Sequence, residues 1–189
     1  MVFPIVLYGS SVLRKVAGKI DKDYEYVNEF IESMFETLKV ADGIGLAAPQ
    51  VGRSIRLFVV DTSPLAKDDP ALKDFKKVFI NPEIIEEEGE ESNFNEGCLS
   101  IPDIREDVIR SPKIRIQYYD GNFEFHDELF DGKKARIIQH EYDHLDGILF
   151  TDKIPPLKKR MLAGKLNAIS RGKVDVKYKV KIPKYGIKT

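Results

Sequence analysis

The segment Gln139-His140-Glu141-Tyr142-Asp143-His144-Leu145-Asp146-Gly147 constrains this chain more than any other. From an N-cap at Asp131 to about Leu145, the spacing predicts a helix with Ile138, Tyr142 and Leu145 on one face. Ile137 lies on the other face, beside His140, Glu141 and His144. A helix that is apolar on both sides is buried, so the chain must wrap its core around two imidazoles and a carboxylate. Burying these without a common partner is costly. His140 and His144 stand four residues apart and project from the same side, so they can hold one ion, with Glu141 next to it as a base.

A chain of 189 residues suits one domain spanning 1–189, which can bury roughly 70% of its unfolded surface. No apolar stretch approaches the roughly 20 residues of a membrane helix, and the start, MVFPIVLYGSSVLRKVA, lacks a basic region before its short apolar run. The chain therefore reads as a mature cytoplasmic protein. Its net charge of −1 conceals an asymmetry: from Lys153 onward there are twelve Lys or Arg against the single Asp175. A basic tail is one means of meeting nucleic acid or another polyanion, and it can equally be a solvated face.

Helical periodicity marks about Tyr24 to Ala41, with Asp21 and Asp23 as candidate caps, and again about Pro156 to Ser170. Ile55 to Asp61 and Val78 to Glu88 are β-branched, aromatic runs predicted to be strands, with Thr62 to Lys77 as a surface loop between them. Lys113–Asp120 and Phe123–Leu129 flank Gly121-Asn122 and predict a hairpin. The alternation in Val174 to Ile182 predicts a terminal strand. Together these elements predict an α+β fold, with mixed or antiparallel strands packed around a central, buried, metal-binding helix.

A third metal ligand can be sought by elimination. Position 150, where one HExxH family places a histidine, is Phe150, and no glutamate follows Glu141. Asp152 and Asp175 have no recognisable setting, which directs attention upstream to Cys98 and His126. His126 shares its side of a strand with Glu124 and Glu128 and reads as a surface residue. Cys98 follows Gly97, which lets backbone come close to an ion. A thiolate and two imidazoles leave a fourth position for water, the arrangement of a catalytic site. As the chain's single cysteine, Cys98 cannot form an intramolecular disulfide.

A third segment, Gly43-Ile44-Gly45-Leu46-Ala47-Ala48-Pro49-Gln50, lacks the Gly-Lys-Ser/Thr of a phosphate loop; Gln50 is its one side chain able to hydrogen-bond an oxyanion. Taken in order, GIGLAAPQ, EGCLSIP and QHEYDHLDG make the chain resemble the peptide deformylases from about Arg14 to Asp152. The resemblance implies hydrolysis of the formyl group from N-formylmethionine at the start of new bacterial polypeptides, releasing formate. It implies Cys98, His140 and His144 as ligands of Fe²⁺, replaceable by Ni²⁺, Co²⁺ or Zn²⁺, with Glu141 as general base. Gln50 and the Leu99 amide become oxyanion donors, the backbone of Ile44 and Gly45 lines the substrate groove, and Arg105 lies near the peptide.

Glu96 and Asp143 are candidates for orienting the imidazoles, since a ligating histidine usually gives its other N–H to a carboxylate or carbonyl. Proteobacterial members of the family end in a long helix, whereas this chain is expected to end in a strand, so a ribosome contact through the basic tail does not carry over automatically. Two other readings are a metallopeptidase, disfavoured by the missing downstream ligand, and a structural metal site closed by an acidic side chain such as Asp143.

Overall fold

The computed structural model describes residues 1–183, together with the backbone of 186–188. In chain order its elements are β1 (Ile5–Val6), α1 (Val27–Val40), β2 (Gly45–Ala47), β3 (Leu57–Asp61), β4 (Lys76–Glu88), β5 (Ser92–Cys98), β6 (Ile101–Arg110), β7 (Lys113–Tyr119), β8 (Phe125–Asp131), α2 (Gly132–Leu145), α3 (Pro156–Ser170), β9 (Val180–Ile182) and β10 (Gly186–Lys188). Five strands form an antiparallel sheet in the order β2-β3-β4-β7-β8. A second sheet runs β1-β9-β10, with β1 parallel to β9, and β5 and β6 form a separate antiparallel pair. The chain is α+β, with mostly antiparallel sheets and few helices.

Each helix follows from its apolar spacing. On α1 the residues Val27, Ile31, Met34 and Leu38 recur at helical intervals and are buried with Leu46, Leu57, Val59 and Ile80. Neither expected aspartate caps it. The helix starts after Tyr26, which takes a left-handed φ of 58°, while Asp21 Oδ1 accepts the Asp23 amide in a local turn. α2 is buried on both sides: Ile137, Ile138 and Leu145 join Phe58, Phe79 and Ile116 in one core, while His140, Glu141 and His144 are also buried. Asp131 sits at its N-cap without making a side-chain cap bond. α3 spans the expected residues, opening on Pro156, whose fixed φ suits a first helical position.

Two sequence expectations need correction. The alternation from Val174 to Ile182 yields a strand only at Val180–Ile182. Val174, Val176 and Tyr178 do turn inward against a core of Leu7, Leu149, Phe150 and Leu166, but β1 pairs only from Val180. Alternation reports burial on one face, whereas a strand also requires a neighbour to bond with. The loop between β3 and β4 lies at the surface as expected, yet it sends Leu72 and Phe75 into the interior and is tied by the Thr62 hydroxyl to the Leu72 carbonyl. The β7–β8 hairpin forms as expected, with Asp120 Oδ1 accepting the amides of Asn122 and Glu124 across the turn.

The loop after α2 is fastened by Asp152, which accepts from Arg14, from Lys159 Nζ at 2.7 Å and from the Leu149 amide at 2.9 Å. Partial burial alone would raise the Asp152 carboxyl, but Arg14 and Lys159 outweigh it and hold it down at about 2. A depressed carboxylate contributes stability above its ordinary pKa and loses it as pH falls through the folded value. With solvent screening, Asp152→Asn is expected to cost about 1 kcal/mol at pH 7, a difference that shrinks as pH falls from about 4 towards 2. Urea midpoints of the two proteins across that range check it.

Candidate metal centre

Three segments converge on one buried point. Cys98 ends β5, where it pairs with Ile101 of β6 and leaves Leu99-Ser100 as a two-residue turn. α2 brings His140 and His144, and potential ligand atoms of all three residues lie within 4.8 Å of one another. His144 Nε2 is 3.4 Å from Cys98 Sγ. The third segment enters through the short 3-10 turn Ala48–Val51 after β2. There Gln50 Oε1 accepts the Ala47 amide at 2.8 Å, which aims Gln50 Nε2 at Cys98 Sγ (3.4 Å) and Ser100 Oγ (3.3 Å).

The donor set fits a divalent metal. It is a soft sulfur with two imidazoles, the combination that selects iron, zinc and similar ions. Glu96 Oε2 lies 2.8 Å from His140 Nδ1, which leaves Nε2, turned to Cys98, as the potential ligand atom of that ring. Burial, reinforced by the neighbouring His140, lowers the pKa of His144 well below the usual range and keeps it the neutral ligand a metal requires. Burial acts in the same direction on His140, but Cys98 and Glu96 outweigh it and raise its pKa, so a metal must compete with a proton there.

A buried ion-pair network supports the ring. Arg110 Nε and Nη2 reach the two oxygens of Glu96 at 2.5 and 3.0 Å, and Arg110 Nη1 reaches Asp143 Oδ2 at 2.8 Å. Burial would push the Glu96 carboxyl up, yet Arg110 and His140 hold it down at about 2. Glu96 therefore occupies the orienting position expected from the sequence. Asp143 does not: it accepts from Arg110 and Lys153 rather than from an imidazole, because its place on α2 faces β6. His144 Nδ1 is buried with no hydrogen-bond partner among the described residues.

Glu141 is set apart from this network. It is 4% exposed, and its Oε2 has no hydrogen-bond partner among the described residues. Burial pushes its carboxyl up to about 7; the charges of Glu96 and Asp143 add to this, while His140 and Arg110 oppose it. Such a carboxyl can take up and release a proton near neutrality. Gly45 makes room for it: a Cβ at that position would stand 2.4 Å from Glu141 Oε1.

The remaining sequence candidates fall around the same point. Arg105 lies on β6 with its guanidinium against Gly97, bonded to Asn95 Oδ1 (2.8 Å) and Asn95 O (2.9 Å). Gly45 pairs with Val60, and β2 is one of the two edge strands of its sheet; the Ile44 carbonyl accepts the Asp61 amide. His126 lies elsewhere, on β8, stacked on Tyr118 and 3.1 Å from Asp120. Arg110, Ser100 and Tyr178 were not picked out from sequence. Arg110 left one signal, an inward-facing position two residues after Val108 on a strand where a charge demands a partner.

Comparisons with known proteins show the family of the chain. Residues 2–160 match the family model described as polypeptide deformylase. The peptide deformylases of Christiangramia forsetii and Flavobacterium johnsoniae are each 54% identical to this chain, over 97% and 96% of both sequences respectively. Among solved structures, the peptide deformylase of Legionella pneumophila superposes with a TM-score of 0.81 at 36% identity, covering 92% of this chain and 98% of that one. The Thermotoga maritima peptide deformylase gives 0.74 at 40% identity, covering 82% and 99%. The chain thus belongs to the polypeptide deformylase family, metal-dependent hydrolases that remove the formyl group from N-formylmethionine peptides.

Proposed function

We propose that Cys98, His140 and His144 hold Fe²⁺, with Ni²⁺, Co²⁺ or Zn²⁺ able to replace it, and that Glu141 is the general base of deformylation. The observation that carries this reading is the pairing of a compact Cys/His/His set with a buried, unpartnered carboxyl on the same helix. A divalent ion held there supplies Lewis acidity, acidifying a water and polarising the formyl oxygen. Glu141 takes the water's proton, and hydroxide attacks the formyl carbon. Negative charge then gathers on the formyl oxygen, where Gln50 Nε2 and the Leu99 amide donate, each worth about 3–4 kcal/mol in acyl-transfer sites of this kind. Glu141 finally hands its proton to the departing amine, and the bond to formate's carbon breaks.

We read substrate placement from the sheet edge: β2 leaves one side of its backbone unpaired in the five-stranded sheet, which suits Gly45 to bond an extended peptide, while Ile44, whose carbonyl is taken by the Asp61 amide, lines the groove beside it. The exposure of Arg105 beside Gly97, where Asn95 holds its guanidinium, supports a contact with the chain of that peptide. The ribosome is the partner that would present such chains, in the cytoplasm. α3 supports this contact: it buries Leu166 and Ile169 while Leu157 and Met161 stay exposed among Lys158, Arg160 and Lys165. Among the described residues no helix is long and apolar enough to cross a membrane.

Cys98→Ser is expected to reduce bound metal and formate release together, with metal affinity falling by more than the roughly 10–100-fold typical of losing only an outer partner of a ligand. Metal content measured beside activity, after anaerobic purification with Fe²⁺, tests this. A Cys98→Ser protein that keeps stoichiometric metal would remove Cys98 from the ligand set.

A further inference from the structure

We infer that Tyr178, on the segment after α3, is a positioning residue for this reaction: its hydroxyl fixes the turn that carries the Leu99 amide. The inference rests on the oxyanion role proposed above for Leu99 and Gln50. Cys98 and Ile101 are paired across β5 and β6, so Leu99 and Ser100 are left as the turn itself. In a two-residue turn, rotation of the central peptide is the soft motion that converts one turn type into another. That central peptide is the one between Leu99 and Ser100, and its carbonyl accepts the Tyr178 hydroxyl at 2.8 Å. The Leu99 N–H belongs to the peptide before it and is joined to the clamped one through the Leu99 Cα, so Tyr178 acts on that donor by fixing the position of Leu99 rather than by bonding its own peptide.

The next carbonyl is held as well. Ser100 O accepts the Tyr8 amide at 2.9 Å, and Ser100 Oγ is 3.3 Å from Gln50 Nε2. The Leu99 side chain is wedged so closely that a Cβ on Gly43 would lie 2.8 Å from it. Two of these clamps come from the ends of the chain: Tyr8 follows β1, Tyr178 precedes β9, and β1 and β9 are hydrogen-bonded in parallel through Ile5↔Val180 and Val6↔Lys181. The terminal sheet is thereby a bracket for the turn next to the metal ligand Cys98. The Tyr178 ring packs against both the α1 core and the Leu7/Leu149/Phe150 core, so it is anchored independently of its hydroxyl. Removing the oxygen alone releases the Leu99 carbonyl and leaves the ring in place.

An oxyanion donor acts only within about 0.2 Å of its working distance, and its contribution appears in the transition state rather than in substrate binding. Freeing the turn should therefore affect kcat and spare KM. The test compares wild type, Tyr178→Phe and Gln50→Ala in steady-state cleavage of a formyl-Met peptide by metal-loaded enzyme, with metal content and melting temperature measured alongside. Tyr178→Phe is expected to lower kcat about 10-fold, a fraction of the roughly 100-fold that a 1 Å misplacement can cost, with KM and metal content unchanged and Tm lowered by no more than the roughly 2–4 °C that losing one hydrogen bond costs. Full kcat in Tyr178→Phe beside a strong loss in Gln50→Ala overturns the inference alone. Full kcat in Gln50→Ala overturns the oxyanion reading, and the inference falls with it. Loss of metal or of Tm in step with activity reduces Tyr178 to a structural role and also overturns the inference.

Discussion

Glu141→Gln should lower turnover by about 10²–10⁴-fold, the range typical of removing a general acid–base, while metal content stays at the wild-type level. Glu141 is not one of the three clustered ligands, so the amide leaves the Cys98, His140 and His144 donors untouched. The same substitution should stabilise the metal-free protein. A buried carboxyl whose pKa rises from 4.5 to about 7 opposes folding whenever it is charged. The cost appears as pH rises above 4.5 and is complete above 7, where it amounts to about 3 kcal/mol before relaxation of the site. The stability gained by Glu141→Gln should therefore grow between pH 4.5 and 7 and then level off. Turnover lost together with stability would indicate a structural carboxylate; turnover retained would remove Glu141 from the mechanism.

Arg110→Met carries the largest expected stability loss. Arg110 and Glu96 are 2% and 3% exposed, and Arg110 serves Glu96 and Asp143 at once. Removing it leaves two carboxylates buried without their common counter-charge, which costs about 3–5 kcal/mol when a buried pair is broken. Because Glu96 also orients His140, metal affinity should fall as well, by about 10–100-fold. Denaturant midpoints and metal titration of Arg110→Met check both parts. A loss below about 1 kcal/mol would mean that water reaches the site and the network is far less buried than its geometry indicates.

What could be read from sequence depended on whether a residue's role was local. α3 announces itself with Pro156 and a helical apolar period, and α2 with apolar residues on both sides of two histidines. The hairpin of β7 and β8 is encoded in its turn residues. β5 was not legible: Ser92–Cys98 is polar along nearly its whole length, with Phe94 its one large apolar residue, and it is a strand because β6 pairs with it. β1 and β2, at two and three residues, are too short to show a period. Within the site, Cys98 could be found by elimination because metal chemistry restricts ligands to a few residue types. Arg110 and Tyr178 could not, since their roles exist only through contacts with Glu96, Asp143 and the Leu99 carbonyl, 14, 33 and 79 residues away in sequence.

The most direct measurement is formate release from a formyl-Met peptide by anaerobically purified, Fe²⁺- or Ni²⁺-loaded protein, run beside equally loaded Glu141→Gln. Rapid release by the wild type, nearly abolished in Glu141→Gln at equal metal content, is the result expected of a site in which Cys98, His140 and His144 hold the ion and Glu141 moves the proton. Equal release by the two proteins, or none from fully loaded wild type, would contradict it.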